Sequence, residues 1–235
     1  MRQSSSMLQG LARSMSLGKE RKEAEEPQGT VLRSSGTLWG EGSETFAAAC
    51  SRRGEKGTNQ DTSIVWEGDL MVVANVGDSR AVLATTSDDG DVTAVQLTVD
   101  FKPDLPQEKA RIIQCEGRVH CLDDEPGVHR VWVPHRDAPG LAMSRAFGDY
   151  CVKDYGVISA PEVTQRRITA RDQFVILATD GVWDVLSNEE AVRIVAATPD
   201  REKAAKPLRA RARPAGGFAV ADCSAFCLFF HSPAP

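Results

Sequence analysis

The chain has 235 residues, 41% of them apolar, 26% charged and 6% aromatic. That is the composition of a globular protein, not of a disordered segment, a collagen-like repeat or a coiled coil. Its 28 basic and 33 acidic residues leave a formal charge of −5, which argues against a general nucleic-acid binder, and no apolar run approaches the roughly 18 residues a membrane span requires.

Residues 1–35 read as a flexible tail. Residues 1–19 hold Arg2, Arg13, Lys19 and several serines but no acid, a composition shared by transit peptides and mobile tails. Lys19 to Glu26 then mixes both charges densely before Pro27 and Gly29, as a solvated helix or linker does. The folded domain is expected over 36–235. Phe46 to Cys50 alternates weakly, and Met71 to Val76 is a clearer strand, rich in β-branched residues. Gly77-Asp78-Ser79 is turn chemistry, Ala81 to Ala84 resumes the extended pattern, and Asp88 to Asp91 turns again before Val92 to Leu97. These runs together predict an antiparallel meander.

Gln107 to Glu116 is a predicted helix with Gly117 in the left-handed position after it. Val128 to Val133 is a predicted strand. Phe174 to Ala178 is an apolar run of buried-strand length, ending abruptly at Asp180-Gly181. Ser187 and Glu190 form a capping box. The helix it opens carries Val192 and Val195 on one face, and Pro207 limits its reach. Ala225 to Phe230 is the last predicted strand. Arg201, Lys203, Lys206, Arg209, Arg211 and Arg213 form either an exposed helix face and loop or a localisation signal. The six scattered cysteines lack the paired spacing of a zinc site and fit free thiols in a reducing compartment. Strands first, helices interspersed and many hairpin turns give an α+β layered fold.

Several aspartates stand where strands end: Asp61, Asp78, Asp149, Asp180, Asp184 and Asp222. Each alone reads as a turn former or helix cap. Together they can project into one cleft, and Mg²⁺ or Mn²⁺ takes oxygen ligands of this kind. Asp184 follows Asp180 by one helical turn and can share its face.

Three motifs occur in order: G-D-S-R at Gly77 to Arg80, S-R-A-F-G-D at Ser144 to Asp149, and A-T-D-G-V-W-D at Ala178 to Asp184. With them the chain resembles, from Gly40 to His231, the type 2C (PPM) metal-dependent protein serine/threonine phosphatases, and most of all the plant branch. The resemblance implies a layered α-β-β-α sandwich of antiparallel sheets. It also implies two Mg²⁺ or Mn²⁺ ions and hydrolysis of phosphoserine and phosphothreonine by water activated on them. Carried over, Asp61, Asp180 and Asp222 match metal ligands, and Asp78 and Asp184 join Asp180 at a weaker third site. Lys56, five residues before Asp61, stands where many members carry a phosphate-binding arginine. Lys56, Asp61 and Asp180 are thus the implied catalytic residues. The implied partners are phosphorylated Ser/Thr proteins, with no membrane or nucleic acid; a monomer in the cytoplasm or nucleus is expected.

The family's D-G-H-G motif is absent, since no Asp-Gly-His occurs in the chain. Trp66-Glu67-Gly68-Asp69 reads like a junction from which a central strand and two helices are missing. A second expectation therefore stands beside the phosphatase: a truncated variant without turnover that acts at most by binding partners.

Overall fold

The computed structural model describes the backbone of residues 33–39, 46–52 and 63–67, and backbone with side chains of residues 70–211 and 223–230. The strands in the first half of the chain are β1 (Arg33–Trp39), β2 (Phe46–Arg52), β3 (Ser63–Glu67), β4 (Leu70–Asn75), β5 (Arg80–Thr86) and β6 (Val92–Gln96). Helix α1 (Pro106–Gln114) follows, then the short strands β7 (Arg118–His120), β8 (Arg130–Trp132) and β9 (Pro139–Leu141). The last part holds β10 (Glu162–Arg167), β11 (Asp172–Ala178), the single turn α2 (Asp180–Trp183), α3 (Asn188–Ala196), α4 (Ala205–Arg211) and β12 (Cys223–Phe229).

These strands form three sheets with antiparallel pairing throughout: β1-β2-β12-β11-β5-β6, β10-β4-β3 and β7-β8-β9. Strand alternation decides the layering, because successive side chains point to opposite faces. In β11, Phe174, Ile176 and Ala178 pack with Val192 and Val195 of α3 and Leu208 of α4. Val175 and Leu177, between them, pack with Met71 and Val73 of β4. Both faces of β11 are therefore buried, which is why its sequence reads as a continuous apolar run. Helices, six-stranded sheet and β10-β4-β3 sheet are three layers of the expected α-β-β-α sandwich. The small sheet belongs to a separate cluster, where Val131 of β8 meets Ile112 of α1, Val152 and Val157.

One expectation is corrected. The runs at Met71, Ala81 and Val92 do not form one meander. β5 and β6 pair as a hairpin, but β4 pairs with β3 and β10 in the other sheet. The Gly77-Asp78-Ser79 turn carries the chain between sheets. Gly77 adopts φ +98°, a left-handed backbone that glycine takes without steric cost.

A second correction concerns the end of α1. Glu116, not Gly117, is left-handed, at φ 62°. The Gly117 amide donates to the Ile112 carbonyl (2.9 Å) and the Glu116 amide to that of Ile113 (3.0 Å), a Schellman ending with glutamate in the strained place. Gly117 serves by lacking a side chain: a Cβ there would lie 2.6 Å from the Tyr155 carbonyl oxygen and 2.7 Å from Ile112 Cγ2.

Candidate active site

Asp78 is carried by the inter-sheet turn and is only 4% exposed. The turn is held at both ends. Asn75 Nδ2 donates to the carbonyls of Gly77 (3.2 Å) and Val99 (2.8 Å), and the Phe101 amide donates to that of Gly77 (2.9 Å). Lys102, following Phe101, pairs directly with Asp78 through Nζ and Oδ2.

Asp180 opens α2, where the buried strand β11 stops, and Asp184 closes the same turn, its amide donating to the Asp180 carbonyl (2.8 Å). The turn is locked into the core. The Trp183 indole N–H donates to the Ala178 carbonyl (2.8 Å). The Thr179 amide donates to the Ser224 carbonyl of β12 (3.1 Å), and the Ser224 amide donates to Thr179 Oγ1 (3.1 Å). Arg80 flanks this turn, stacking 5.2 Å from the Trp183 ring and forking onto Asp100 (2.5 Å) and Asn188 Oδ1 (2.7 Å).

The electrostatics tie these pieces into one site. Burial, then repulsion from Asp78 and Asp184, pushes the Asp180 carboxyl up to about 6, against the opposing pull of Lys102 and the Gly181 amide. Burial works against the Lys102 charge, but Asp78, and then Asp184 and Asp180, outweigh it and raise its pKa above the ordinary lysine value. One ammonium, paired directly with Asp78, thus also feels the half-buried Asp180 and the exposed Asp184.

Of the metal ligands drawn from the sequence, the structure thus brings together Asp78, Asp180 and Asp184. Asp61, Asp222 and Lys56 lie outside the described residues. Among the described residues no three His, Cys, Asp or Glu side chains stand close enough to hold a metal among themselves. The donor chemistry nevertheless fits one: oxygen donors only, partly desolvated, with excess negative charge that keeps Asp180 from ionising at its normal pH.

Two residue roles were not legible in advance. Lys102 gives no local signal: its neighbours Phe101 and Pro103 are buried while it is half-exposed, and its partner Asp78 lies 24 residues away in sequence. The S-R-A-F-G-D motif proves to be scaffolding at its first two positions. Ser144 Oγ (2.6 Å) and the Arg145 guanidinium (2.8 and 3.0 Å) converge on the Glu108 carboxylate, joined by Arg111 (2.7 and 2.8 Å). Burial opposes ionisation of Glu108, but the bonds from Arg111, Arg145 and Ser144 prevail and hold its carboxyl at about 2. Asp149 of that motif takes a left-handed φ of 57°, and no direct contact with the Asp78–Asp180 cluster is found.

No helix among the described residues is long and apolar enough to cross a membrane, and Cys115, Cys121, Cys151, Cys223 and Cys227 are free thiols.

Residues 18–216 match the family model described as protein phosphatase 2C. The chain is 52% identical over 99% of its length to "Probable protein phosphatase 2C 48" of Oryza sativa subsp. japonica, covering 99% of that protein. It is 43% identical over 97% of its length to "Probable protein phosphatase 2C 34" of Arabidopsis thaliana, covering 97% of it. The rice alignment runs over 351 positions against 235 residues here, so more than a hundred positions of the relative fall opposite gaps. A crystal structure of serine-threonine phosphatase 2C from Toxoplasma gondii matches with a TM-score of 0.62 at 25% identity. That match covers 80% of this chain, which spans 59% of the solved one. Family model, near-full-length plant relatives and shared fold agree: the chain belongs to the protein phosphatase 2C family.

Proposed function

We propose that this chain is a metal-dependent protein serine/threonine phosphatase working at the cleft where β5 and α2 begin, with phosphoproteins as substrates and Mg²⁺ or Mn²⁺ as the ion. The observation that carries this reading is Asp180: half-buried just past the end of β11, pushed up to about 6, with Asp78 and Asp184 close enough to repel its charge. A carboxylate cluster kept at such electrostatic cost in a fold whose relatives are phosphatases suits cation binding rather than packing.

In this reading Asp61, Asp180 and Asp222 are metal ligands, and Asp78 and Asp184 join Asp180 at a weaker third site. When bound, a divalent ion supplies a Lewis acid that lowers the pKa of water and neutralises phosphoryl charge. The protein's own residues do the positioning. The Trp183 indole bond and the two Thr179–Ser224 bonds hold the turn that carries Asp180, and the Asn75 bonds hold the turn that carries Asp78. Lys102 supplies positive charge beside the carboxylates, and Lys56 is the candidate contact for the substrate phosphate, as a point charge rather than an arginine fork.

The test is phosphate release from a phosphothreonine peptide by the full chain with Mn²⁺. Release that falls about 100-fold or more in Asp180→Ala, with the fold retained by circular dichroism, supports the phosphatase. No release by the unsubstituted chain, together with no saturable Mn²⁺ binding, overturns it and leaves a family member without turnover.

A further inference from the structure

We propose that Lys102 is a tethered cation that competes with the divalent ion for Asp78, and so weakens ion binding at this cluster. The inference rests on the cation-site reading above and deepens it at the residue that supplies positive charge there. Lys102 and Asp78 are paired directly, the lysine side chain 38% exposed and the aspartate 4%. The backbone turn that carries Asp78 is held by bonds to the Gly77 carbonyl from Asn75 and Phe101, whereas Lys102 has a long flexible stem with one side open to water. A side chain so placed can leave the carboxylate when a stronger cation arrives.

The charge balance points the same way. Asp78, Asp180 and Asp184 carry three negative charges, and all three act on Lys102. With the ammonium seated, the cluster has a net charge of two negatives, and one of its three carboxylates is engaged. For an ion to use Asp78, the ammonium has to withdraw and be resolvated. The other nearby cation of the motif, Arg80, is not available for this role, because its guanidinium is forked onto Asp100 and bonded to Asn188.

The consequence is a cluster that holds its ion loosely, and whose affinity can be changed at a residue that is not a ligand. At short range through a partly desolvated site, removing one positive charge should tighten a divalent ion by about 10- to 100-fold.

The experiment is titration calorimetry of Mn²⁺ into the full chain, its Lys102→Gln and Lys102→Arg variants, and Asp78→Asn alone and combined with Lys102→Gln, each first confirmed to melt cooperatively. The expected result is a Kd lowered about 10- to 100-fold in Lys102→Gln, nearly unchanged in Lys102→Arg, and no further gain from Lys102→Gln once Asp78 is Asn. Equal affinity of the unsubstituted chain and Lys102→Gln overturns the competition while leaving the cation site standing. So does equal tightening in Lys102→Arg. Absence of saturable binding in every variant overturns the competition and the cation site together. Binding by Lys102→Gln alone supports competition in its strongest form.

Discussion

Asp180 illustrates how a side chain can cost stability and be kept. Its carboxyl sits at about 6 instead of the ordinary 3.8, because burial and two like-charged neighbours disfavour the ionised form. A group bound more tightly by its proton in the folded state stabilises the fold below the unfolded value and loses that contribution as pH rises. In chelator, stability should therefore decline between pH 4 and pH 6. Asp180→Asn should be more stable than the unsubstituted chain by about 1–3 kcal/mol at pH 7 and no more stable near pH 4, as read by urea unfolding at the two pH values. Equal gains at both would mean that packing, not charge, is responsible. Much of this site could be read from residue order alone: an apolar run that stops on Asp-Gly, with a second aspartate one turn on, locates Asp180 and Asp184, and Gly-Asp-Ser after a strand locates Asp78. Lys102 could not be found that way, because its partner lies 24 residues away in sequence and only the folding of β4 into one sheet and β5 into the other brings them together.

At the level of elements, α1 is anchored through a charged cluster as much as through apolar contact. Glu108 lies 3% exposed on α1 and gathers Arg111 from its own helix and Ser144 and Arg145 from the loop after β9. Arg145 also stacks 3.7 Å from the Phe101 ring, and Arg111 reaches the Gly156 carbonyl at 2.8 Å. Removing one partner from such a network leaves the others buried and unpaired, the costly case. Glu108→Gln should lower stability by about 2–4 kcal/mol at pH 7. Since the Glu108 pKa is depressed to about 2, its contribution is present above its ordinary value near 4.5 and lost as pH falls toward 2. The gap between variant and unsubstituted chain should therefore narrow on acidification, and a gap constant from pH 7 to pH 3 would contradict the account. The end of α1 offers a separate check. Gly117→Ala forces a methyl against the Tyr155 carbonyl and should cost about 1–3 kcal/mol by thermal unfolding. Glu116→Gly relieves a left-handed glutamate and should gain up to about 1 kcal/mol. Helices α1 and α3 and the long strands β5, β11 and β12 announce themselves by period, α3 also by its capping box, whereas the single turn α2 and the Pro207-containing α4 do not. β7 and β9, three residues each, and the largely polar β10 do not, because what makes them strands is the neighbour they pair with rather than their own pattern.

In the molecule as a whole, β11 is where the layers meet. It pairs with β12 on one side and β5 on the other. Its alternate side chains fill two cores, Ile176 on the helical side and Val175 toward β4, both fully buried. Asp180 follows directly on this strand, so the position of the carboxylate cluster depends on both cores at once. Deleting side-chain atoms on either face should then lower the same transition. Ile176→Ala is expected to cost about 2–5 kcal/mol, and Val175→Ala somewhat less, a large part of the 5–15 kcal/mol that holds a typical domain together. Trp183 reports on the helical core and Trp132 on the small sheet, while far-ultraviolet circular dichroism reports on all strands. If β11 couples the two cores, fluorescence and dichroism melts of each variant shift together and remain single. A variant whose dichroism melts in two steps would show that the β10-β4-β3 layer unfolds on its own. The inter-sheet turn carrying Asp78 would then move independently of Asp180, and Mn²⁺ added to that variant should draw the two steps back toward one, because an ion bound by both carboxylates stabilises only the state in which the sheets are docked.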